Sequence, residues 1–312
     1  MMISVIMPAY NASDFIGEAL DSILNQTVQQ FEIIVVDDGS TDNTLEILKQ
    51  YAQKDSRITV IQNNHGGACK ARNTAIAVAK YPWIAAMDAD DVSLPQRFEK
   101  QLKAAEAHPE VVVWGSYLHQ INLEGKVIGQ IRIGPTSVAE FNTVDRTQKA
   151  IVVTNSTAMF KREVALQAGC YDERLVASQD TEFWDRMANY GPVVVIPEPL
   201  VSYRLHGQSI SAKKFFHQRM LHGYVVERNR LKAIGQSITM EEYIKQYNEK
   251  PPVERFFRTM NNRGRYYYRN SGVQIAQKQY IPAVASLALA TVLSPKFATE
   301  RILNRFFPKK YI

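Results

Sequence analysis

Phe31-Glu32-Ile33-Ile34-Val35-Val36-Asp37-Asp38-Gly39-Ser40 is the stretch from which the fold can be read. A short β-branched run breaks abruptly into two carboxylates and a glycine, the pattern of a buried strand that ends at a polar rim. The same switch recurs on both sides of it. Ser4–Met7 runs into Pro8-Ala9-Tyr10-Asn11, Ile58–Ile61 into Asn63-Asn64-His65-Gly66-Gly67, and Trp83–Met87 into Asp88-Ala89-Asp90-Asp91. Val111–Trp114 is a fifth such run. Between them, stretches near Asp14–Asn25, Thr41–Lys54, Ala68–Lys80 and Pro95–Ala107 read as helices; Ile16, Ala19, Leu20 and Ile23 fall at helical spacing. Ser40 and Thr41 are expected to cap the second helix, and Pro95 to occupy the first turn of the fourth. Strands separated by single helices predict right-handed crossovers and a Rossmann-like, mostly parallel central sheet flanked by helices. Ligands bind beyond the carboxyl ends of such strands. Four polar strand ends on one rim therefore mark the candidate site.

Downstream the pattern loosens. Leu118–Ala150 reads as a hairpin and loop leading away from the sheet, and Ile151-Val152-Val153 as a return to strand. Helices are expected at Arg162–Ala168 and Gln179–Asn189, and strands at Val193–Ile196 and Leu200–Arg204. Beyond residue 212 the propensity is helical, interrupted at Pro251-Pro252 and Asn261-Asn262-Arg263-Gly264.

The 312 residues carry a net charge of +6, which conceals a split. Residues 1–212 sum to −7 and residues 213–312 to +13. An acidic body thus carries a basic tail, and the total is no evidence for a nucleic-acid partner. Two cysteines cannot staple a secreted scaffold, and without C-x-x-C spacing they lend no support to a zinc site. No signal peptide is read at Met1, and the longest charge-free run, Gln279–Pro295, is short for a membrane span. The expected location is the cytoplasm, with peripheral contact on the inner face of the cytoplasmic membrane left open.

Asp88, Asp90 and Asp91 crowd a strand end, where like charges repel unless a cation neutralises them. Oxygen donors at this density suit Mg²⁺ or Mn²⁺, which keeps waters and grips substrate phosphates. Asp37 and Asp38 can accept hydrogen bonds from a ribose or a base. The chain has neither G-x-G-x-x-G nor G-x-x-x-x-G-K-[ST], so a dinucleotide fold and a P-loop are disfavoured. A sugar nucleotide held through a metal needs neither motif.

With these residues in view, the chain resembles the family 2 glycosyltransferases. SVIMPAYN at Ser4–Asn11, VVDDGSTDNT at Val35–Thr44 and ARN at Ala71–Asn73 are similar to the family's nucleotide-binding half. MDADD at Met87–Asp91, followed by Pro95 and Arg97, resembles its DXD metal motif. The likeness continues through Asn155–Phe160, Ala168–Glu173, Ser178-Gln179-Asp180 and Tyr203-Arg204-Leu205-His206. The resemblance implies a GT-A nucleotide-diphospho-sugar transferase fold over residues 1–210, with a helical basic extension over 211–312. It implies an inverting enzyme that moves a sugar from a nucleoside-diphosphate sugar, UDP-sugars favoured, to a hydroxyl of a glycan or lipid-linked acceptor in surface-glycan assembly. Pro8, Ala9, Tyr10, Asp37, Asp38, Arg72, Asp88 and Asp90 would hold the donor, and Asp90, Asp91 and His206 would hold Mg²⁺ or Mn²⁺. Asp180 would be the general base; Gln179 replaces the glutamate usual before it, which removes a carboxylate and its upward push on the base's pKa.

Some residues carry two readings. Trp184 either walls an acceptor subsite or packs its helix. Phe215, Phe216, Phe256, Phe257, Phe306 and Phe307 are apolar anchors in a tail whose Lys and Arg side chains face water, the acidic body or anionic lipid. The run Arg263–Arg269 interleaves bases with aromatics, but no RNA- or DNA-binding signature accompanies it, and no nucleic-acid partner is expected. The rival functions are a nucleotidyltransferase acting on sugar phosphates and a non-catalytic sugar-nucleotide or polyanion-binding module. The oligomeric state is not legible.

Overall fold

The computed structural model describes residues 2–206 and 214–306. The chain divides into two compact units, Met1–Arg204 and Leu205–Ile312. The expected division at 210/211 and Phe307 lie outside the described residues, as does the side chain of Phe306.

The first unit runs β1 (Ile3–Ala9), α1 (Ile16–Leu24), β2 (Phe31–Asp37), α2 (Thr44–Lys54), β3 (Ile58–Gln62), α3 (Ala68–Val78), β4 (Trp83–Ala86), β5 (Val92–Ser93), α4 (Arg97–Ala107), β6 (Val113–Ile121), β7 (Val127–Ile131), α5 (Val138–Asn142), β8 (Met159–Lys161), α6 (Arg162–Gln167), α7 (Gln179–Met187) and β9 (Val193–Arg204). Its sheet has the order β3-β2-β1-β4-β8-β6-β9-β5, with β7 paired to β6. The strands β1 to β4 are mutually parallel, so their carboxyl ends share one rim as the sequence predicts. Antiparallel β8 lies between β4 and β6 and turns the sheet mixed.

Strand alternation splits the core into two layers. Ile3, Val5 and Met7 of β1 pack with Ile16, Leu20 and Ile23 of α1 on one face. Ile6, Ile34 and Val36 face the other way, in a cluster with Ala75 and Ile76 of α3 and Phe183, Trp184 and Met187 of α7.

Several local expectations are corrected. Ser40 and Thr41 do not cap α2, which begins at Thr44. They bind Asn11 instead: its N–H donates to Ser40 Oγ at 3.0 Å, and its Oδ1 accepts from the Thr41 N–H at 2.8 Å. Two rim loops are joined where a cap was expected. Pro95 precedes α4 by two residues. The hairpin after Leu118 forms, but β6 is an inner strand and does not leave the sheet. Ile151 and Val153 are buried without joining a strand. Residues 193–204 form one strand, its register against β6 shifting around Tyr117 and Pro199.

Beneath the acidic rim lies Arg97, fully buried with no carboxylate bonded to it. Its guanidinium donates to the carbonyls of Ala86 at 2.9 Å and Ala158 at 3.1 Å, and to Gln101 Oε1 at 3.2 Å. Gln101 in turn donates to the carbonyls of Trp114 and Thr157. Helix α4 thereby satisfies backbone acceptors at the end of β4, in β6 and just before β8. Burial pushes the Arg97 pKa down to about 9, while the fields of Asp91 and Asp88 act against that loss. It stays charged at neutral pH.

The second unit contains α8 (Phe215–Ala233), α9 (Met240–Glu249), α10 (Pro252–Ala276), α11 (Tyr280–Leu293) and α12 (Pro295–Phe306). Thr239 and Glu242 form a reciprocal capping box at the start of α9. Pro252 opens α10, as suits a proline at a first turn, and Asn261–Gly264 runs inside that helix without breaking it. Gly264 admits the α11–α12 turn: a Cβ there would stand 2.5 Å from Ser294 Cβ. The aromatics between the tail's basic residues are used internally, Tyr266 stacking on Phe216 and Tyr268 meeting Phe297 edge-on. No described helix is long and apolar enough to cross a membrane.

Arg97→Met should lower unfolding stability by about 3 kcal/mol, because two carbonyls and the Gln101 amide oxygen lose a charged donor in a dry site. Denaturant melts of Arg97→Met against a surface control, Lys103→Ala, read this directly; equal midpoints would contradict the role given to Arg97.

Candidate active site

The rim gathers chemistry from four parallel strand ends. At β2, Asp37 and Asp38 are both buried. Asp38 accepts the N–H groups of Gly66 at 2.9 Å and Gly67 at 2.8 Å, one on each carboxylate oxygen. These amides lie just before α3, so a carboxylate is favoured there. Gly67, at φ 90°, provides the turn that aims both amides inward. His65 Nδ1 also lies 3.1 Å from Asp38, and its ring tilts against that of Tyr10 at 4.3 Å. Tyr10 is half exposed, which leaves an aromatic face open beside the buried carboxylates.

At the end of β4 the acidic loop is held from three sides. Asp88 Oδ1 accepts from Arg72 at 2.8 Å and from Asn155 Nδ2 at 3.0 Å. Asp91 Oδ1 accepts the backbone N–H of Arg204 at 2.9 Å, while the buried Oδ2 has no hydrogen-bond partner. Arg204 donates from Nε to the Asp90 carbonyl at 3.0 Å and from its fork to Asn122, Leu123 and Glu18. Burial, then the like charges of Asp90 and Asp88, push the Asp91 carboxyl well above the usual carboxylate range. A cation at this rim would reverse that penalty.

Arg72 joins this loop to the next element. Its guanidinium donates to Asp88 on one side and to Gln179 Oε1 at 2.9 Å on the other. It is buried, and lies over the Tyr171 ring at 5.4 Å. Burial disfavours its charge, but the Asp88 carboxylate and the Tyr171 oxygen hold its pKa above the ordinary arginine value. Tyr171 donates its hydroxyl to Asn155 at 2.9 Å, which closes a ring of Arg72, Asp88, Asn155 and Tyr171. The neighbouring Gln179 donates to the Leu175 carbonyl, so both ends of its amide are fixed.

Asp180 follows Gln179 in the first turn of α7. Ser178, in the left-handed region at φ 50°, turns the chain into that helix. Asp180 Oδ1 accepts the Thr181 N–H at 2.8 Å. Burial raises its pKa above the ordinary aspartate value; the Thr181 N–H and Arg72 oppose the rise, and Asp88 adds to it. Losing the neighbouring glutamate does not leave an acidic aspartate, because burial outweighs the missing charge.

Two expectations change. Trp184 does not wall an acceptor subsite: it is 0% exposed, its Nε1 donates to the Val153 carbonyl at 2.9 Å, and it packs with Phe160, Tyr171 and Phe183. Trp184 lies one turn beyond Asp180 on the same side of α7, and it is its packing in the sheet-facing cluster that removes it from an acceptor. His206 belongs to the second unit and is half-buried there. Sequence reading missed the structural parts played by Asn155, Gln179 and Arg204. An arginine closing an apolar strand was the available signal for Arg204; for the two amides only the fold reveals the partners.

The donor set accords with a hard divalent cation of modest protein ligation. Among the described residues no group of three His, Cys, Asp or Glu side chains converges on one point. Mg²⁺ and Mn²⁺ bound with substrate phosphates need one or two carboxylates, and Asp91 presents an unused buried oxygen.

Residues 4–167 match the model of glycosyl transferase family 2. The chain belongs to that family. It is an enzyme of the glycosyltransferase class with a GT-A fold. The chain is 33% identical over 218 residues to the O-antigen biosynthesis glycosyltransferase WbnJ of Escherichia coli, covering 67% of this chain and 81% of that protein. Its fold is like that of Staphylococcus aureus TarS 1–349 in complex with UDP-GlcNAc, with a TM-score of 0.60 at 18% identity over 96% of this chain and 92% of the other. The mannosyltransferase PcManGT of Pyrobaculum calidifontis, in complex with GDP-Man and Mn²⁺, gives a TM-score of 0.56 at 20% identity over 98% and 81% of the two chains.

Trp184→Ala should cost about 3–5 kcal/mol of stability by opening a cavity in the aromatic cluster. The melting temperature of this glycosyltransferase should fall steeply. An unchanged melt with a raised acceptor KM would restore Trp184 to a sugar-binding wall.

Proposed function

We propose that this glycosyltransferase is an inverting, metal-dependent enzyme that moves a sugar from a nucleoside-diphosphate sugar, UDP-sugars favoured, to a hydroxyl of a glycan or lipid-linked acceptor. The observation that carries the reading is the Gln179–Arg72–Asp88 bridge, which fixes the helix of Asp180 to the acidic loop. A base must be aligned with the reacting carbon before the step, and a rigid link between the two sides provides that alignment.

In this reading Pro8, Ala9, Tyr10, Asp37 and Asp38 line the nucleoside pocket, with the Tyr10–His65 pair as its aromatic face. Arg72 and Asp88 border the diphosphate. Asp90 and Asp91 would hold Mg²⁺ or Mn²⁺. Such a cation, when bound, neutralises charge that grows on the leaving diphosphate. Support for it comes from the unpartnered Asp91 oxygen and from the Mn²⁺ present with the fold relative PcManGT.

Asp180 accepts the proton of the acceptor hydroxyl as that oxygen bonds to the anomeric carbon. The bond from that carbon to the diphosphate oxygen breaks on the opposite face, and its electron pair leaves with the diphosphate. One displacement inverts the centre. Burial raises the Asp180 pKa and makes its carboxylate a stronger base than that of a surface aspartate. The likeness to an O-antigen enzyme supports bacterial surface-glycan assembly. The +13 of residues 213–312 supports peripheral contact of the second unit with an anionic membrane that would carry a lipid-linked acceptor.

Donor titration by calorimetry, with and without Mn²⁺, and diphosphate release together test this reading. Asp180→Asn should keep donor affinity but lose roughly 10²–10⁴-fold in turnover. Asp91→Ala should lose the Mn²⁺-dependent part of donor affinity. In the native enzyme, turnover should fall as pH drops through the raised Asp180 pKa, because the protonated carboxyl cannot accept a proton; the acid limb should lie above the ordinary aspartate range. Full turnover of Asp180→Asn, or donor affinity indifferent to metal, would contradict the assignment.

A further inference from the structure

Helix α11 is built inside out. A surface helix ordinarily turns large apolar residues inward and polar residues to water. Here the residues turned inward are small: Ala283, Ser286 and Ala290 are buried, followed by Ser294. Ser294 donates to Asn261 of α10, and Gly264 lets this end of the helix pair approach closely. Leu287 and Leu293 are half-buried beside them, but the other large aliphatic side chains are exposed. Ile281 is 86% exposed, Val284 69% and Val292 74%, with Ala285 and Ala288 exposed between them. At helical spacing these five positions form one continuous outward stripe. No charged residue occurs from Gln279 to Pro295, and exposed Lys278 and Lys296 stand at the two ends.

We propose that the outward face of α11 lies in the interface of an anionic membrane, its apolar side chains among the acyl chains and its flanking lysines at the headgroups. The inference rests on reading the second unit as a membrane-contacting unit, and it moves the contact from the basic side chains and phenylalanine anchors to one defined stripe. Charge selects the occupant. A second copy of this chain would bring another +13 unit against the first, whereas an anionic surface attracts it. The helix has 14 residues, too few to span, so it would lie in the plane of the interface.

The test is cosedimentation of the full chain with phosphatidylcholine vesicles, with and without phosphatidylglycerol, together with a light-scattering mass for each protein. The informative variant combines Ile281→Gln, Val284→Gln and Val292→Gln, which removes apolar surface and leaves charge unchanged. Because all three positions are exposed, its melting temperature and donor hydrolysis without vesicles should match the native enzyme; Val284→Ser with Val292→Ser is the milder alternative if they do not. The native chain should bind phosphatidylglycerol vesicles, and the Gln variant should bind at least about tenfold more weakly. Equal binding of both proteins to anionic vesicles would overturn the role of α11 while keeping a purely electrostatic contact. No binding of the native chain would overturn both. A native dimer that the variant dissociates, without any change in vesicle binding, would assign the stripe to a second copy.

Discussion

The Arg72 guanidinium sits between two elements that the chain brings together from distant positions. It donates to Asp88 at the end of β4 and to Gln179 at the start of α7, at 2.8 and 2.9 Å. A buried charge is tolerated only when paired and hydrogen-bonded, so the spacing of those two elements is set by this fork. Lysine has one ammonium and no planar fork, and could not span both acceptors with the same geometry. Much of the site inherits its order from this link: Asn155 and Tyr171 close the ring behind Asp88, and Asp180 is the residue next to Gln179.

Two further buried arginines repeat the device. Arg97 satisfies carbonyls beneath the rim, and Arg204 holds the acidic loop through Asp91 and the Asp90 carbonyl. The −7 of the first 212 residues is thus an uneven charge field, with cations placed under a carboxylate-rich edge. Arginine suits these places because its charge survives burial better than that of lysine and its planar donors reach several oxygens. Two buried carboxylate oxygens on this edge, Asp37 Oδ1 and Asp91 Oδ2, have no hydrogen-bond partner.

The parallel half of the fold was legible in the sequence because β1, β2 and β4 are buried on both faces and read as largely apolar runs. Ile33–Val36 and Trp83–Met87 are of this kind, and their ends announced the rim. The second half was harder. Ile151-Val152-Val153 has strand composition, yet Ile151 and Val153 are buried in the cluster that holds Phe183 and Trp184 of α7 and not by strand pairing. Trp184 was ambiguous because composition does not tell which face of a short helix meets a sheet. Ser40 and Thr41 look like caps, but the nearby Asn11 competes for their hydrogen bonds. Asp180 could be located by resemblance, while the amide that holds its helix to Arg72 became apparent only in three dimensions. In the tail, helical propensity was legible but not that Ile281, Val284 and Val292 of α11 face outward.

The central claim is that Arg72 and Gln179 act as one unit that holds the Asp180 helix to the acidic loop. A double-mutant cycle on donor turnover tests it most directly, using Arg72→Ala, Gln179→Ala and the two combined. If the bridge is the shared cause, either single change removes most of what the pair contributes, and the double variant is scarcely slower than the worse single variant. Losses that simply multiply, as for independent sites, would contradict the account.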